Sequence, residues 1–197
     1  VDLKKFCPKM CTDIIRRKFG NHRIVIFVGS PNNYSNKFAI DNIYKIAKAF
    51  RLMNRNDVIF VIVGRGNPIK PIPSNVRYTG YVDRVEQYIV AADVAIIPYK
   101  EGTQEGIPVK LLEYMACGKP IVGTYEGVKN VPELINGRNC IIVKDIPNMV
   151  KAILYLLENK GKARDIGLNA RHVAEIYDWK YISHKFMGII SKLIHSK

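Results

Sequence analysis

Acidic residues are scarce in this chain: its 197 residues hold 17 Asp and Glu against 31 Lys and Arg, a formal charge of +14 at pH 7. A field of that sign attracts polyanions, so nucleic acid, an anionic membrane and phosphorylated small molecules are the partners to weigh. Cysteine is sparse as well. Cys7, Cys11, Cys117 and Cys140 are too few and too scattered for a disulfide framework, and Cys7 and Cys11 have no second pair of ligands to complete a zinc site. They read as buried or indifferent thiols of a reducing compartment. No apolar run reaches the ~18–20 residues that span a bilayer. Residues 1–10 carry charges throughout, unlike a signal peptide. Internal repeats, low-complexity tracts and long linkers are missing too. The chain opens on Val1 rather than Met, so it reads as an excised piece. These absences leave a soluble, cytoplasmic chain. What is present, 48% hydrophobic and 24% charged residues, is the balance of a folded protein long enough to bury a core. That excludes disorder, a collagen-like repeat and a disulfide-stapled miniprotein.

Hydrophobic runs set the organisation. From Arg23 the chain reads Ile-Val-Ile-Phe-Val up to Gly29, apolar at every step, which fits a strand covered on both faces. A polar loop, Ser30 to Asn36, follows. Ile40, Ile43, Tyr44, Ala47, Phe50 and Met53 then recur at helical spacing as an amphipathic helix. Val58 to Val63 reads as a second strand stopped at Gly64-Arg65-Gly66, and Pro68, Pro71 and Pro73 exclude a helix directly behind it. A short third strand over Val76–Thr79 leads to a helix from about Arg84 to Ala91 and a fourth strand over Asp93–Pro98. A helix over Pro108–Cys117, closed by Gly118, precedes a fifth strand at Pro120–Val122. A sixth covers Asn139–Val143 after the turn at Asn136-Gly137. Strand alternating with helix means parallel strands and right-handed crossovers, so the expected fold class is α/β, a doubly wound parallel sheet of about six strands. Three helices close the chain, at about 147–159, 162–176 and 179–194. The last spreads Tyr181, Ile182, Phe186, Met187, Ile189, Ile190 and Leu193 over a face wider than one contact surface needs, which hints at a partner.

In open parallel sheets ligands bind at the carboxyl ends of the strands. Three loops there carry candidate chemistry. Gly64-Arg65-Gly66 starts like a dinucleotide fingerprint, but Ile69 stands in place of the third glycine and no helix begins behind it, so a plain chain reversal accounts for it. The loop from Gly29 to Lys37 is small and polar and opens a helix, whose N-terminus favours an anion, with Lys37 adding charge; a plain strand-to-helix turn accounts for the same residues equally well. The third is Glu105-Gly-Ile-Pro-Val-Lys-Leu-Leu-Glu113. Pro108 suits a helix start, and free N–H groups near Ile107 to Val109 are ready for a phosphate. Glu105 and Glu113 suit paired sugar hydroxyls. A solvated Glu105 and a Lys110–Glu113 helix ion pair would explain the spacing as well.

That third segment resembles the E-x7-E signature of retaining glycosyltransferases of the two-domain GT-B architecture, family 4 (glycosyl transferases group 1). Further markers follow in order along the chain. Val1-Asp-Leu-Lys-Lys-Phe-Cys-Pro resembles the entry into the family's C-terminal domain. Val76-Arg-Tyr-Thr-Gly-Tyr-Val, Ala91-Ala-Asp-Val-Ala-Ile-Ile-Pro, Gly118-Lys-Pro-Ile-Val and Tyr177-Asp-Trp179 resemble later stretches. The resemblance implies a Rossmann-like donor-binding domain over residues 1–197, with 179–194 crossing back to an acceptor-binding N-terminal domain that this chain lacks. It implies that Glu113 binds the ribose hydroxyls and that Glu105, the catalytic-site carboxylate, holds the transferred sugar. No carboxylate stands out as a covalent nucleophile. The segment Gly106, Ile107, Pro108 and Val109 would take the diphosphate on its N–H groups, and the backbone near Tyr81 and Val82 would meet the base. Relatives usually carry an arginine just after the first-strand glycine and a lysine a few residues later. Here Ser30 follows Gly29, and Lys37 comes later in a longer loop, with Lys110 as a further cation.

No Asp-x-Asp occurs, which argues against metal-dependent diphosphate binding, so the expected site holds no metal and no cofactor other than the substrate nucleotide sugar. The implied reaction moves a hexose to a glycan or lipid-linked acceptor, in polysaccharide biosynthesis, at the cytoplasmic face of a membrane. The alternative is a basic nucleic-acid-binding or membrane-surface module without catalysis. Against nucleic acid, no recognition motif appears and the aromatics fall mostly at core spacings. A membrane surface is compatible with the enzyme, since residues 1–23 hold seven basic side chains against two acidic.

Overall fold

Parallel pairing orders the whole molecule, which a computed structural model describes over residues 1–68 and 71–195. Ile69, the residue that breaks the dinucleotide fingerprint, lies outside the described residues. The strands are β1 (Arg23–Val28), β2 (Val58–Val63), β3 (Val76–Gly80), β4 (Val94–Ile97), β5 (Ile121–Thr124) and β6 (Ile141–Val143), in one sheet of order β3-β2-β1-β4-β5-β6 with every neighbour parallel. This is the doubly wound sheet that the alternating runs predict. β2 is buried at every residue and β1 at its four central ones, because helices cover both faces. Each fully buried Ile, Val or Phe contributes about 1.5–3 kcal/mol over its exposed state.

The helices are α1 (Asp13–Lys18), α2 (Tyr34–Leu52), α3 (Val85–Ala91), α4 (Val109–Ala116), α5 (Tyr125–Val128), α6 (Ile146–Glu158), α7 (Lys160–Ala174) and α8 (Trp179–His195), with a 3-10 turn at Glu175–Tyr177 before the last. α1 and α5 have no periodic signal in the sequence. They are too short for one: α1 is held from outside by the two-point pair of Arg16 with Asp93, at 2.7 and 3.0 Å. α2 corrects the reading of its own start. Asn33 caps it by accepting from the Asn36 N–H at 3.1 Å, so the segment Tyr34–Lys37 is helix rather than loop, and Lys37 lies inside the first turn. At the other end Met53 caps α2 and is 43% exposed instead of joining its buried stripe.

The two ends of the chain meet. The Val1 amine donates to Tyr177 O at 2.7 Å, and Trp179 N–H donates to Val1 O at 3.0 Å. Arg171 of α7 pins the opening segment, donating to Phe6 O at 2.8 Å, to Leu3 O at 3.3 Å and to Ala116 O at the end of α4. Arg171→Met should lower stability by about 2–4 kcal/mol, since three carbonyls lose a charged donor at once; a circular-dichroism melt with the wild-type midpoint would contradict this. α8 leaves Trp179, Phe186, Met187, Ile189 and Leu193 more than half exposed, at 58–70%. Among the described residues, no helix is long and apolar enough to cross a membrane.

Candidate functional site

β1 is where the sheet reverses direction, and there it separates from one neighbour. It pairs with β2 along its length, but with β4 only at Val25–Val94 and Ile26–Ala95. Beyond that point Val28 N–H has no ladder partner on the β4 side; it donates to the Tyr114 hydroxyl at 2.7 Å. Tyr114 comes from α4 and is fully buried. Doubly wound sheets bind ligands in the crevice at the carboxyl ends of strands that part in this way.

The crevice has a floor of bare backbone. Gly29 follows β1, Gly64 follows β2 and Gly80 ends β3, and they lie side by side: Gly29 N–H donates to Val63 O at 2.8 Å and Gly64 N–H to Gly80 O at 3.1 Å. A Cβ on Gly64 would stand 2.5 Å from Gly29 O, and one on Gly29 would stand 2.8 Å from the Asn36 side chain and from Lys110 Nζ. Backbone against backbone demands glycine at Gly64, whereas at Gly29 the close atoms are the ends of the Asn36 and Lys110 side chains. Gly64-Arg65-Gly66 is more than a chain reversal, and only the non-local packing of two strand ends reveals it. Tyr81, 73% exposed, and partly buried Val82 leave the end of β3 beside that floor.

Asn36 and Lys110 meet over Gly29. The buried Asn36 amide donates to Ser30 O at 3.0 Å, and its Oδ1 accepts from the Tyr99 hydroxyl at 3.1 Å and from Lys110 Nζ at 2.7 Å. Lys110 Nζ lies 4.1 Å from the Phe27 ring centre and 5.3 Å from that of Tyr99. Burial pulls its ammonium down to about 7, with Glu113 pulling the other way. The Lys110–Glu113 ion pair allowed by the spacing is not formed among the described residues. Lys110 turns to Asn36 instead, a partner invisible in the sequence because it sits 74 positions away. Lys37 takes a different flank of α2, exposed, along a small cavity with Pro31, Asp41, Tyr44 and Tyr78.

The two glutamates differ in setting. Glu113, in the second turn of α4, is partly buried; burial pushes its carboxyl up, while Lys5, Lys110 and the Val1 amine draw it back. Glu105 is exposed, in the loop between β4 and α4. That loop is held from outside. Asn130 donates to Glu105 O at 3.1 Å and to Gly106 O at 2.9 Å, buried Glu126 accepts from Gln104 N–H at 2.9 Å, and Ser35 of α2 donates to Thr103 O. Lys129 pairs with the second oxygen of Glu126 at 2.8 Å. These supports escape sequence reasoning, since polar residues scattered through a loop carry no periodic signal. Ile107 and Val109 are exposed around Pro108, which begins α4 as its cap, with Leu111 N–H donating to Pro108 O at 2.8 Å. Among the described residues no cluster of three metal-ligating side chains occurs.

Solved structures that share this sheet include glycosyltransferases, and the chain has the Rossmann-like fold of one half of the GT-B architecture. Residues 22–159 match the family described as Glycosyl transferases group 1, and the chain belongs to that family. It is 29% identical over 196 residues to the uncharacterized glycosyltransferase MJ1069 of Methanocaldococcus jannaschii, covering 92% of this chain and 48% of that protein. It is 23% identical over 209 residues to the GDP-mannose-dependent monoacylated alpha-(1-6)-phosphatidylinositol monomannoside mannosyltransferase of Corynebacterium glutamicum, covering 96% of this chain and 54% of that one. Anabaena HepE in complex with UDP-glucose superposes with a TM-score of 0.76 at 18% identity, over 98% of this chain and 56% of that one. The chain thus spans about half the length of the relatives it matches.

Proposed function

We propose that this chain is the donor-binding half of a retaining, metal-independent glycosyltransferase of family 4 that moves a hexose from a nucleotide-diphosphate sugar to a glycan or lipid-linked acceptor. The observation that carries the reading is the pairing of the Gly29–Gly64 floor with the first turn of α4, made through Lys110 Nζ over Gly29. A diphosphate lies beside Gly29, within reach of Lys110 Nζ, against the free N–H groups at the start of α4. Glu113 accepts from the ribose hydroxyls and the base lies toward Tyr81 and Val82. Glu105 accepts from hydroxyls of the sugar. Transfer breaks the bond from the anomeric carbon to the diphosphate oxygen, and the acceptor oxygen bonds to that carbon on the same face. The acceptor proton leaves with the diphosphate. Acceptor positioning belongs to the other half of the architecture, so this chain alone binds donor without transferring sugar.

Relatives differ in donor, one described as GDP-mannose-dependent and one solved with UDP-glucose. A thermal-shift panel of UDP-, GDP- and ADP-sugars therefore tests the reading. At 100 times Kd the right donor adds about 2.7 kcal/mol, a rise of several degrees in the melting midpoint; a panel without any rise overturns it. An anionic membrane surface is a compatible second contact. In α1 the apolar Ile14 is 72% exposed, with Arg17 and Lys18 three and four residues along the same short helix, as a peripheral segment would have. Sedimentation with vesicles of anionic lipid, lost in Ile14→Asp, is the expected result; equal recovery with neutral vesicles contradicts it.

A further inference from the structure

Lys110 is placed at odds with the ordinary rules for a lysine. It stands in the first turn of α4, at the positive end of the helix dipole, where a cation is disfavoured. Its ammonium has been taken out of water, yet the partner it finds is a neutral amide, Asn36 Oδ1 at 2.7 Å. The rest of its setting is aromatic, with Phe27 and Tyr99 beneath it. It reaches the spot over Gly29 where a side chain would begin, 2.8 Å from the Cβ that a larger residue would place there. A desolvated cation without a carboxylate against it is costly, and an anion bound beside it removes the cost. The loop after β1, meanwhile, brings no cation of its own. Ser30 follows Gly29, and Lys37 is one turn along α2, exposed on another flank.

We propose that Lys110 is the cation that grips the donor's diphosphate in this chain, reaching across from α4 to supply the charge that the loop after β1 lacks. This rests on the nucleotide-sugar reading above and adds which side chain holds the phosphates. Asn36 keeps the ammonium over Gly29 between turnovers and shares it with the phosphate oxygens when donor is present. A proton follows the ligand. Burial lowers the empty site's Lys110 to about 7, and two phosphate charges beside it restore the ammonium, so binding above neutral pH takes up a proton. The groups facing it are Glu113 from its own helix, the Tyr99 hydroxyl from the loop after β4, the Asn36 amide from α2, and the uncharged Phe27 of β1 and Gly29 just after it.

Wild-type calorimetry with UDP-glucose and GDP-mannose in two buffers of different ionisation enthalpy tests this directly, because neither donor titrates near neutrality. Proton uptake at pH 8, with affinity falling toward tenfold per pH unit above 7, is expected. Lys110→Met, which keeps the volume and removes the buried charge, should retain the wild-type circular-dichroism spectrum. It should lose about 10- to 100-fold in affinity for the nucleoside diphosphate, keep its affinity for the parent nucleoside, and bind UDP-glucose or GDP-mannose without proton uptake. Donor binding without proton uptake, or Lys110→Met losing nucleoside and diphosphate alike, overturns the assignment while leaving the donor reading standing. Failure of the wild-type chain to bind any nucleoside diphosphate overturns both.

Discussion

Glu113→Gln is expected to weaken nucleoside diphosphate binding by about 10- to 100-fold, the worth of hydrogen bonds from two ribose hydroxyls to a charged acceptor. The same change should leave the unliganded chain at least as stable at pH 7. The sign follows from the carboxyl's shift. Burial raises it in the folded state, so folding disfavours its ionised form. The penalty is absent below the unfolded pKa, grows as pH rises toward the folded one and is complete above it. Removing the charge relieves it. Glu105→Gln should behave differently, because Glu105 is exposed and its loop is fixed through backbone contacts with Asn130 and Glu126. Free nucleoside diphosphate should bind it as it binds wild type, and the nucleotide sugar should lose its added affinity. A loss of free nucleotide at Glu105 with none at Glu113 would exchange the two roles.

Gly64→Ala should damage both stability and nucleotide binding. The new Cβ would lie 2.5 Å from Gly29 O and 2.6 Å from Gly29 C, which are backbone atoms that no rotamer change can move aside. Gly29 is itself fixed by its bond to Val63 and by Asn36 and Lys110 above it. The strand ends must part, at a cost of about 2–3 kcal/mol, and the floor on which the diphosphate rests is displaced with them. Lower melting temperature and loss of nucleotide affinity should therefore appear together. Gly161→Ala gives the contrast. A Cβ there meets nothing within 4 Å, and in the first turn of α7 it should stabilise by about 0.5–1 kcal/mol. A Gly64→Ala chain with wild-type melting and binding would show that the floor yields.

Much of this was legible in the chain itself. The fully apolar runs at Ile24–Val28 and Val58–Val63 name buried parallel strands without help, and the segment Glu105–Glu113 announces its loop-to-helix turn. The length of α2 was not legible, since its first turn, Tyr34 to Lys37, is polar and only the Asn33 cap marks it. Nor was the partner of Lys110. Local spacing offers Glu113, and the fold supplies Asn36 because β1 and β4 part at the reversal point. Gly64 looked like ordinary turn chemistry for the same reason. Its role comes from a neighbouring strand end 35 residues earlier, at Gly29. Side chains that act through non-local contacts leave no period to read.

The central claim, that the crevice over Gly29 holds a nucleoside diphosphate, is tested most directly by calorimetric titration of the chain with matched mono- and diphosphates of one nucleoside. The account predicts that the diphosphate binds at least about tenfold more tightly, since the helix N-terminus and Lys110 contact the added phosphate. Equal affinities for the two would contradict it.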